Sequence, residues 1–267
     1  MARGKAIGPA LARFGMAVAA WTLILGVVAN EVRAATDVDL ALVLTVDVSR
    51  SMDYEEQRLQ RDGYINAFRD REVVNAITDG LTGRIAVTYV EWAAANLQTV
   101  VVPWTIIDGT ASANAFAAAL ERAEIQSWNG TSISGALNFA TSLLESSGYS
   151  AIRRVIDVSG DGVNNNGLPL TPVHDLVVRK GITINGLPVM TSSAGNFFGT
   201  GPSSANLDLY YRDCVIGGPD AFMFTITKPD EFATATRRKL IQEIAAVPAP
   251  QTNNLILAQQ RPAQNCF

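Results

Sequence analysis

The chain has 267 residues, with 21 Lys and Arg against 25 Asp and Glu, a formal net charge of −4 and 48% hydrophobic residues. An acidic balance of this kind gives no electrostatic attraction to nucleic acid or to anionic lipid, so polyanion binding is set aside. The length suits one α/β domain with decorations.

The first 34 residues begin basic, with Arg3, Lys5 and Arg13, and turn apolar from Phe14 to Ala29. Val32-Arg33-Ala34 then supplies a small-residue cleavage site, which is the pattern of a secretory signal. A retained anchor is the alternative, but the apolar stretch is short for one. The expected organisation is a signal peptide over 1–34, a folded domain over 35–247 and an irregular tail over 248–267. The destination would be the periplasm or the exterior, and no other segment is apolar enough to span a bilayer.

Leu40 to Asp47 reads as a strand buried on both faces: an apolar run with β-branched residues that stops at a carboxylate. Asp53 to Thr78 is helix-like, with Gly63 lowering its propensity. Arg84–Trp92 and Leu97–Ile107 are strands joined by a link short enough for an antiparallel hairpin, and Pro103 places the second at an edge. Ala111–Ala123 and Ser132–Leu144 are expected helices, and Arg154–Val158 is a buried strand. Pro172–Lys180 is a helix stopped by Gly181, Ile182–Val189 a strand, Ala221–Thr227 a last strand and Pro229–Ala246 a last helix. Strands alternating with helices predict a doubly wound α/β fold, mostly parallel, with one antiparallel edge strand and three layers.

At the carboxyl end of the first strand, Asp47, Ser49 and Ser51 stand where open α/β sheets place ligands. Gly130-Thr131-Ser132 precedes a helix, and Ser159-Gly160-Asp161-Gly162 follows a strand. All offer hard oxygen donors, suited to Mg²⁺, Mn²⁺ or Ca²⁺. Asp-Val-Ser-Arg-Ser, then Gly-Thr-Ser, then Ser-Gly-Asp-Gly resembles the metal-ion-dependent adhesion site of von Willebrand factor A domains. The resemblance covers about Asp39 to Ala246. It implies that Ser49 and Ser51 ligate through hydroxyls, Thr131 directly or through water, and Asp47 and Asp161 mostly through water. It further implies that the ion, Mg²⁺ foremost, takes a carboxylate from a protein partner at an open position. Tyr210-Tyr211-Arg212-Asp213-Cys214, Gly217-Gly218-Pro219 and Arg237-Arg238-Lys239-Leu240 resemble an exported bacterial subgroup of unknown function.

Each site residue has a plainer reading as a helix cap or turn former, but that reading does not explain all five together. Asp47 with Gly160-Asp161-Gly162 also resembles haloacid-dehalogenase-like phosphotransferases. Those need a second Asp where Ser49 stands and a lysine before the late acidic motif, and none occurs between Lys5 and Lys180. A Ser-His-Asp hydrolase would depend on His174, the only histidine, without a Gly-x-Ser-x-Gly elbow. His174 is instead expected to be exposed or capping. Asp53, Glu55 and Glu91 are expected as charged rim residues that do not ligate.

Cys214 and Cys266 are the two cysteines. In an oxidising compartment they would form a disulfide, with two unpaired thiols as the alternative. The functional expectation is a binding module and not an enzyme. Its alternatives are a scaffold whose metal stabilises the fold, and a metal-assisted phosphohydrolase.

Overall fold

The computed structural model describes residues 1–2, 4, 35–191, 206–245 and 266. The expected signal segment, apart from residues 1, 2 and 4, and the expected tail, apart from Cys266, lie outside the described residues. Among the described residues no helix is long and apolar enough to cross a membrane.

Strand β1 (Thr36–Asp47) is central, and every residue from Leu40 to Asp47 is buried. That is why its apolar run is continuous: both faces are covered by helices. β1 pairs in parallel with β2 (Ile85–Trp92) on one side and with β4 (Tyr149–Gly160) on the other. β3 (Gln98–Ile107) is antiparallel to β2, and β5 (Thr183–Pro188) is parallel to β4. The order is therefore β3-β2-β1-β4-β5, with the expected antiparallel strand at one edge. Pro103 sits where the β2–β3 register shifts, between the Val87–Thr105 and Tyr89–Val102 pairs, so its missing N–H removes no ladder bond.

Helices α1 (Tyr54–Arg69), α2 (Arg71–Thr78), α3 (Thr110–Arg122) and α7 (Phe232–Ala245) cover one face. Tyr64, Phe68, Ile77, Phe116 and Leu240 pack there against Leu40, Leu42 and Leu44. Helices α4 (Ile133–Glu145) and α5 (Leu170–Arg179) cover the other, where Leu137 and Val173 pack with Ala41 and Val43. The short α6 (Leu207–Tyr210) runs into a π-helical turn, Tyr211–Val215, on that second face.

The structure corrects two expectations. The single helix over 53–78 is two, because Asp70 turns extended and accepts from Glu72 N at 2.8 Å, ending one helix and capping the next. Gly63 lies within α1, and beside its propensity cost it lets α7 approach: a Cβ there would stand 3.0 Å from Thr236 Oγ1 and 3.4 Å from Phe232 O. The expected strand over 221–227 is reduced to isolated parallel bridges, Gly186 with Met223 and Val189 with Ile226. Gly186 N donates to Phe222 O, and Phe224 N and Ile226 N donate to Gly186 O and Pro188 O. The bond that would continue this ladder needs an N–H at Pro188, which has none.

Candidate metal centre

Three turns converge at the carboxyl ends of β1 and β4. The first follows Asp47 and is pinned from both sides: Val48 N donates to Trp92 O (2.9 Å), and Arg50 N donates to Trp128 O (2.9 Å). Ser49 N donates to Asp47 Oδ1 at 2.7 Å, which orients that carboxylate. The second turn carries Thr131, whose N–H donates to Asn165 Oδ1 at 2.9 Å while its carbonyl accepts from Asn165 N at 2.9 Å. Ser132 beside it caps α4 by accepting from Gly135 N at 3.1 Å. The third turn holds Asp161. It closes on the first because residue 160 has no side chain: a Cβ there would lie 2.9 Å from Asp47 Oδ2.

The five side chains expected at the site do come together. The Ser49 and Ser51 hydroxyls share a hydrogen bond of 2.7 Å, Ser51 Oγ donates to Asp161 Oδ1 at 2.8 Å, and Thr131 Oγ1 donates to Ser49 Oγ at 3.4 Å. Asp47, Ser49, Thr131 and Asp161 are buried, while Ser51 is exposed. Asp47 Oδ2 and Asp161 Oδ2 are buried without a hydrogen-bond partner. Unpartnered carboxylate oxygens are costly in an interior, and a cation answers both at once.

The electrostatics agree. Burial first, and then the charge of Asp161, pushes Asp47 well above the usual carboxylate range. Burial raises Asp161 to about 6, with the Ser51 hydrogen bond opposing and the Glu56 charge reinforcing. Among the described residues no three His, Cys, Asp or Glu side chains gather to hold a metal. The donor set here is of another kind, two carboxylates and three hydroxyls. It fits a hard cation that keeps some of its water, as Mg²⁺ does.

Two neighbours escape sequence reasoning. Glu56 is buried, accepts from Thr191 Oγ1 and also accepts from Asp53 N at 3.2 Å. The Asp53-x-x-Glu56 capping box was its only sequence signal. Tyr211 is buried with its hydroxyl 3.4 Å from Gly160 O, beneath the Asp161 turn, and no local pattern announces it.

Of the other expected roles, those of Glu91 and His174 change. Glu91 is no rim residue: it is buried and paired with Arg61. Asp53 caps α1, and Glu55 pairs on the surface with Arg58 at 2.6 Å. His174 is neither exposed nor a cap. It is buried in α5, with Nδ1 2.9 Å from Asp175 Oδ1 and Nε2 3.2 Å from Ile216 O. Cys214 and Cys266 are joined in a disulfide, with Cα atoms 5.6 Å apart, fastening the tail to the π-helical turn.

A mostly parallel five-stranded sheet between helices gives the chain a fold like that of von Willebrand factor A domains, with this oxygen-lined site at the carboxyl edge of the sheet. The chain belongs to the family described as "Protein of unknown function (DUF1194)", whose model matches residues 37–248. The fold is similar to von Willebrand factor type A from Catenulispora acidiphila, at 17% identity and TM-score 0.53, covering 78% of this chain and 43% of that one. It is similar to proximal thread matrix protein 1 from the mussel byssus, solved with a zinc-occupied MIDAS motif: 16% identity, TM-score 0.52, 78% of this chain and 46% of that one. It is also similar to the pilus adhesin SpaC from Lactobacillus rhamnosus GG in an open conformation: 14% identity, TM-score 0.54, 78% of this chain and 30% of that one. The chain thus spans less than half the length of each, and these identities establish the fold alone. No curated protein matches in sequence.

Proposed function

We propose that this chain is an exported binding module in which Asp47, Ser49, Ser51, Thr131 and Asp161 hold a divalent cation, Mg²⁺ foremost and Mn²⁺ or Ca²⁺ as substitutes. The observation that carries this is the pair of buried, unpartnered oxygens, Asp47 Oδ2 and Asp161 Oδ2, beside three clustered hydroxyls. When bound, the ion supplies an electrophilic position for a carboxylate of a protein partner. Ser49, Ser51 and Thr131 bind it without adding charge. Asp47 and Asp161 orient its waters and accept their protons in hydrogen bonds. Exposed Ser51 marks the side from which a partner reaches the site.

The zinc-occupied MIDAS of a structural neighbour and the adhesin role of another support this reading. The Cys214–Cys266 disulfide supports export to an oxidising compartment, as does the basic-then-apolar start of the chain. Removal of residues 1–34 would leave a mature protein beginning near Ala35, which intact-mass measurement on protein from its host decides. The functional test is capture from host periplasmic extract in Mg²⁺ and then in chelator. Retention of a partner in Mg²⁺ and its release by chelator are expected. Capture indifferent to metal overturns the reading. Metal-dependent stability with no capture assigns the ion a purely structural role.

A further inference from the structure

On the α1/α7 face of the sheet, Asp157 of β4, Asn185 of β5 and Lys239 and Glu243 of α7 meet in one cluster, none more than 2% exposed. Lys239 Nζ stands 2.5 Å from Asp157 Oδ1 and pairs also with Glu243 Oε1. Asn185 Nδ2 donates to Glu243 Oε1 at 2.9 Å, and Tyr64 Oη donates to Asp157 Oδ2 at 3.2 Å. The Phe222 ring lies 5.6 Å from the Lys239 nitrogen.

This cluster is more than a single ion pair. Lys239 Nζ is held against Asp157 Oδ1 at 2.5 Å and donates to it. Two carboxylates also share one ammonium in a site without water access. Burial, with the charge of Asp157 adding to it and Lys239 opposing, pushes Glu243 up to about 7. Glu243 is thus placed to carry protons between an amine and a carboxyl group that already touch.

We propose that the chain forms an internal amide bond between Lys239 Nζ and Asp157 Cγ, with Glu243 as the proton carrier. The resting cluster is an ammonium–carboxylate pair. Burial opposes the Lys239 charge, but Asp157 and Glu243 together raise its pKa. A proton passes from the ammonium to the Asp157 carboxylate, giving a neutral amine and a neutral acid. The nitrogen lone pair attacks Cγ and the carbonyl π electrons move to oxygen, which takes the Glu243 proton. Glu243 then accepts a proton from the new N–Cγ centre. It returns that proton to a hydroxyl on Cγ as the C–O bond breaks. The amide carbonyl re-forms as the remaining hydroxyl gives its proton to Glu243, and one water leaves, its oxygen from Asp157 and its two hydrogens from the ammonium. Glu243 ends as it began. Held contact of this kind corresponds to effective molarities of roughly 10⁵–10⁸ M. Tyr64 and Asn185 keep the acid and the carrier oriented.

The test is the intact mass of the full chain with its disulfide reduced, followed by fragment spectra of a digest. Wild type should be lighter than its sequence by one water, with a branched peptide joining Asp157 to Lys239. Glu243→Gln and Lys239→Arg should both show the unmodified mass. Wild type at its unmodified mass, with the Lys239 amine open to acylation once unfolded, overturns the proposal whether or not the variants fold. A water loss located elsewhere does the same. No metal enters the measurement, so its outcome is independent of the site at Asp47.

Discussion

The hydroxyl of Ser51 donates to Asp161 Oδ1 across 2.8 Å, tying the turn after β1 to the turn after β4. Ser51 is the one exposed member of the five-residue set, whereas Asp161 is buried. The bond lowers the pKa of Asp161 against the larger effect of burial. On the proposed reading, a cation entering from the Ser51 side would meet this hydroxyl first and then the two carboxylates behind it.

Removing either carboxylate should therefore weaken metal binding without unfolding the chain. For Asp47→Ala and Asp161→Ala, Mg²⁺ affinity should fall by at least the roughly 10–100-fold that loss of outer-shell partners produces. Asp53→Ala should lower stability by about 1 kcal/mol through its helix cap and leave Mg²⁺ affinity unchanged. Calorimetric titration reads all three. Equal binding by wild type and Asp47→Ala would reduce the site to caps and turns.

Metal should also stabilise the fold, because three separate turns would meet at one ion. Mg²⁺ at about 100 times its dissociation constant should add roughly 2.7 kcal/mol to unfolding. Chelator should remove that gain in wild type and a smaller one, at most roughly 1.4 kcal/mol, in Asp161→Ala. Superimposable melting curves with and without Mg²⁺ would contradict a shared site.

The parts of this fold readable in sequence are those dictated by one stretch of chain. Leu40–Asp47 is apolar throughout because it is covered on both faces, and its end is marked by a carboxylate. The five oxygen-bearing residues were legible because each lies in a short strand-end or helix-start motif. What escaped depends on partners distant in sequence. Glu91 looks like a rim charge until Arg61 of α1 is seen against it. Tyr211 reaches Gly160 from a π-helical turn with no periodicity of its own. His174 is buried where Ile216 arrives from another segment, its carbonyl oxygen placed to accept from the ring. Pro188 breaks the pairing with residues 222–226 only because that segment happens to lie alongside it.

The Cys214–Cys266 disulfide should matter for stability, since it closes a sequence separation of 52 residues. Loop-closure entropy of that length corresponds to about 4 kcal/mol, an upper figure because native relaxation and denatured-state structure reduce it. Cys266→Ser should thus unfold at lower denaturant by an amount worth roughly 2–4 kcal/mol, and reductant should bring wild type to the same midpoint. Identical midpoints for oxidised wild type and the variant would show that the bridge fastens only the tail.

The buried Arg61–Glu91 pair should be sensitive to the loss of either partner. Both side chains are buried, and Arg61 Nη1 also donates to Leu120 O at 2.9 Å and Ala123 O at 3.0 Å, closing the end of α3. Glu91→Ala leaves the guanidinium buried without its counter-charge, so unfolding free energy should drop by about 3–5 kcal/mol. Replacing the pair by Arg61→Met with Glu91→Leu should recover only part of this, because the two α3 carbonyls lose their donor. The pH response has a definite sign. Burial holds Glu91 above its unfolded value despite Arg61, so the folded state binds its proton more tightly than the unfolded chain does. This contribution to stability is full below the unfolded value of about 4.3 and is lost as pH rises through the raised folded value. Glu91→Gln cannot ionise and should flatten that part of the stability-versus-pH curve. Denaturant midpoints of wild type and Glu91→Gln across mildly acidic pH, in chelator, give the comparison. A steeper fall with rising pH in the variant than in wild type would refute the assignment.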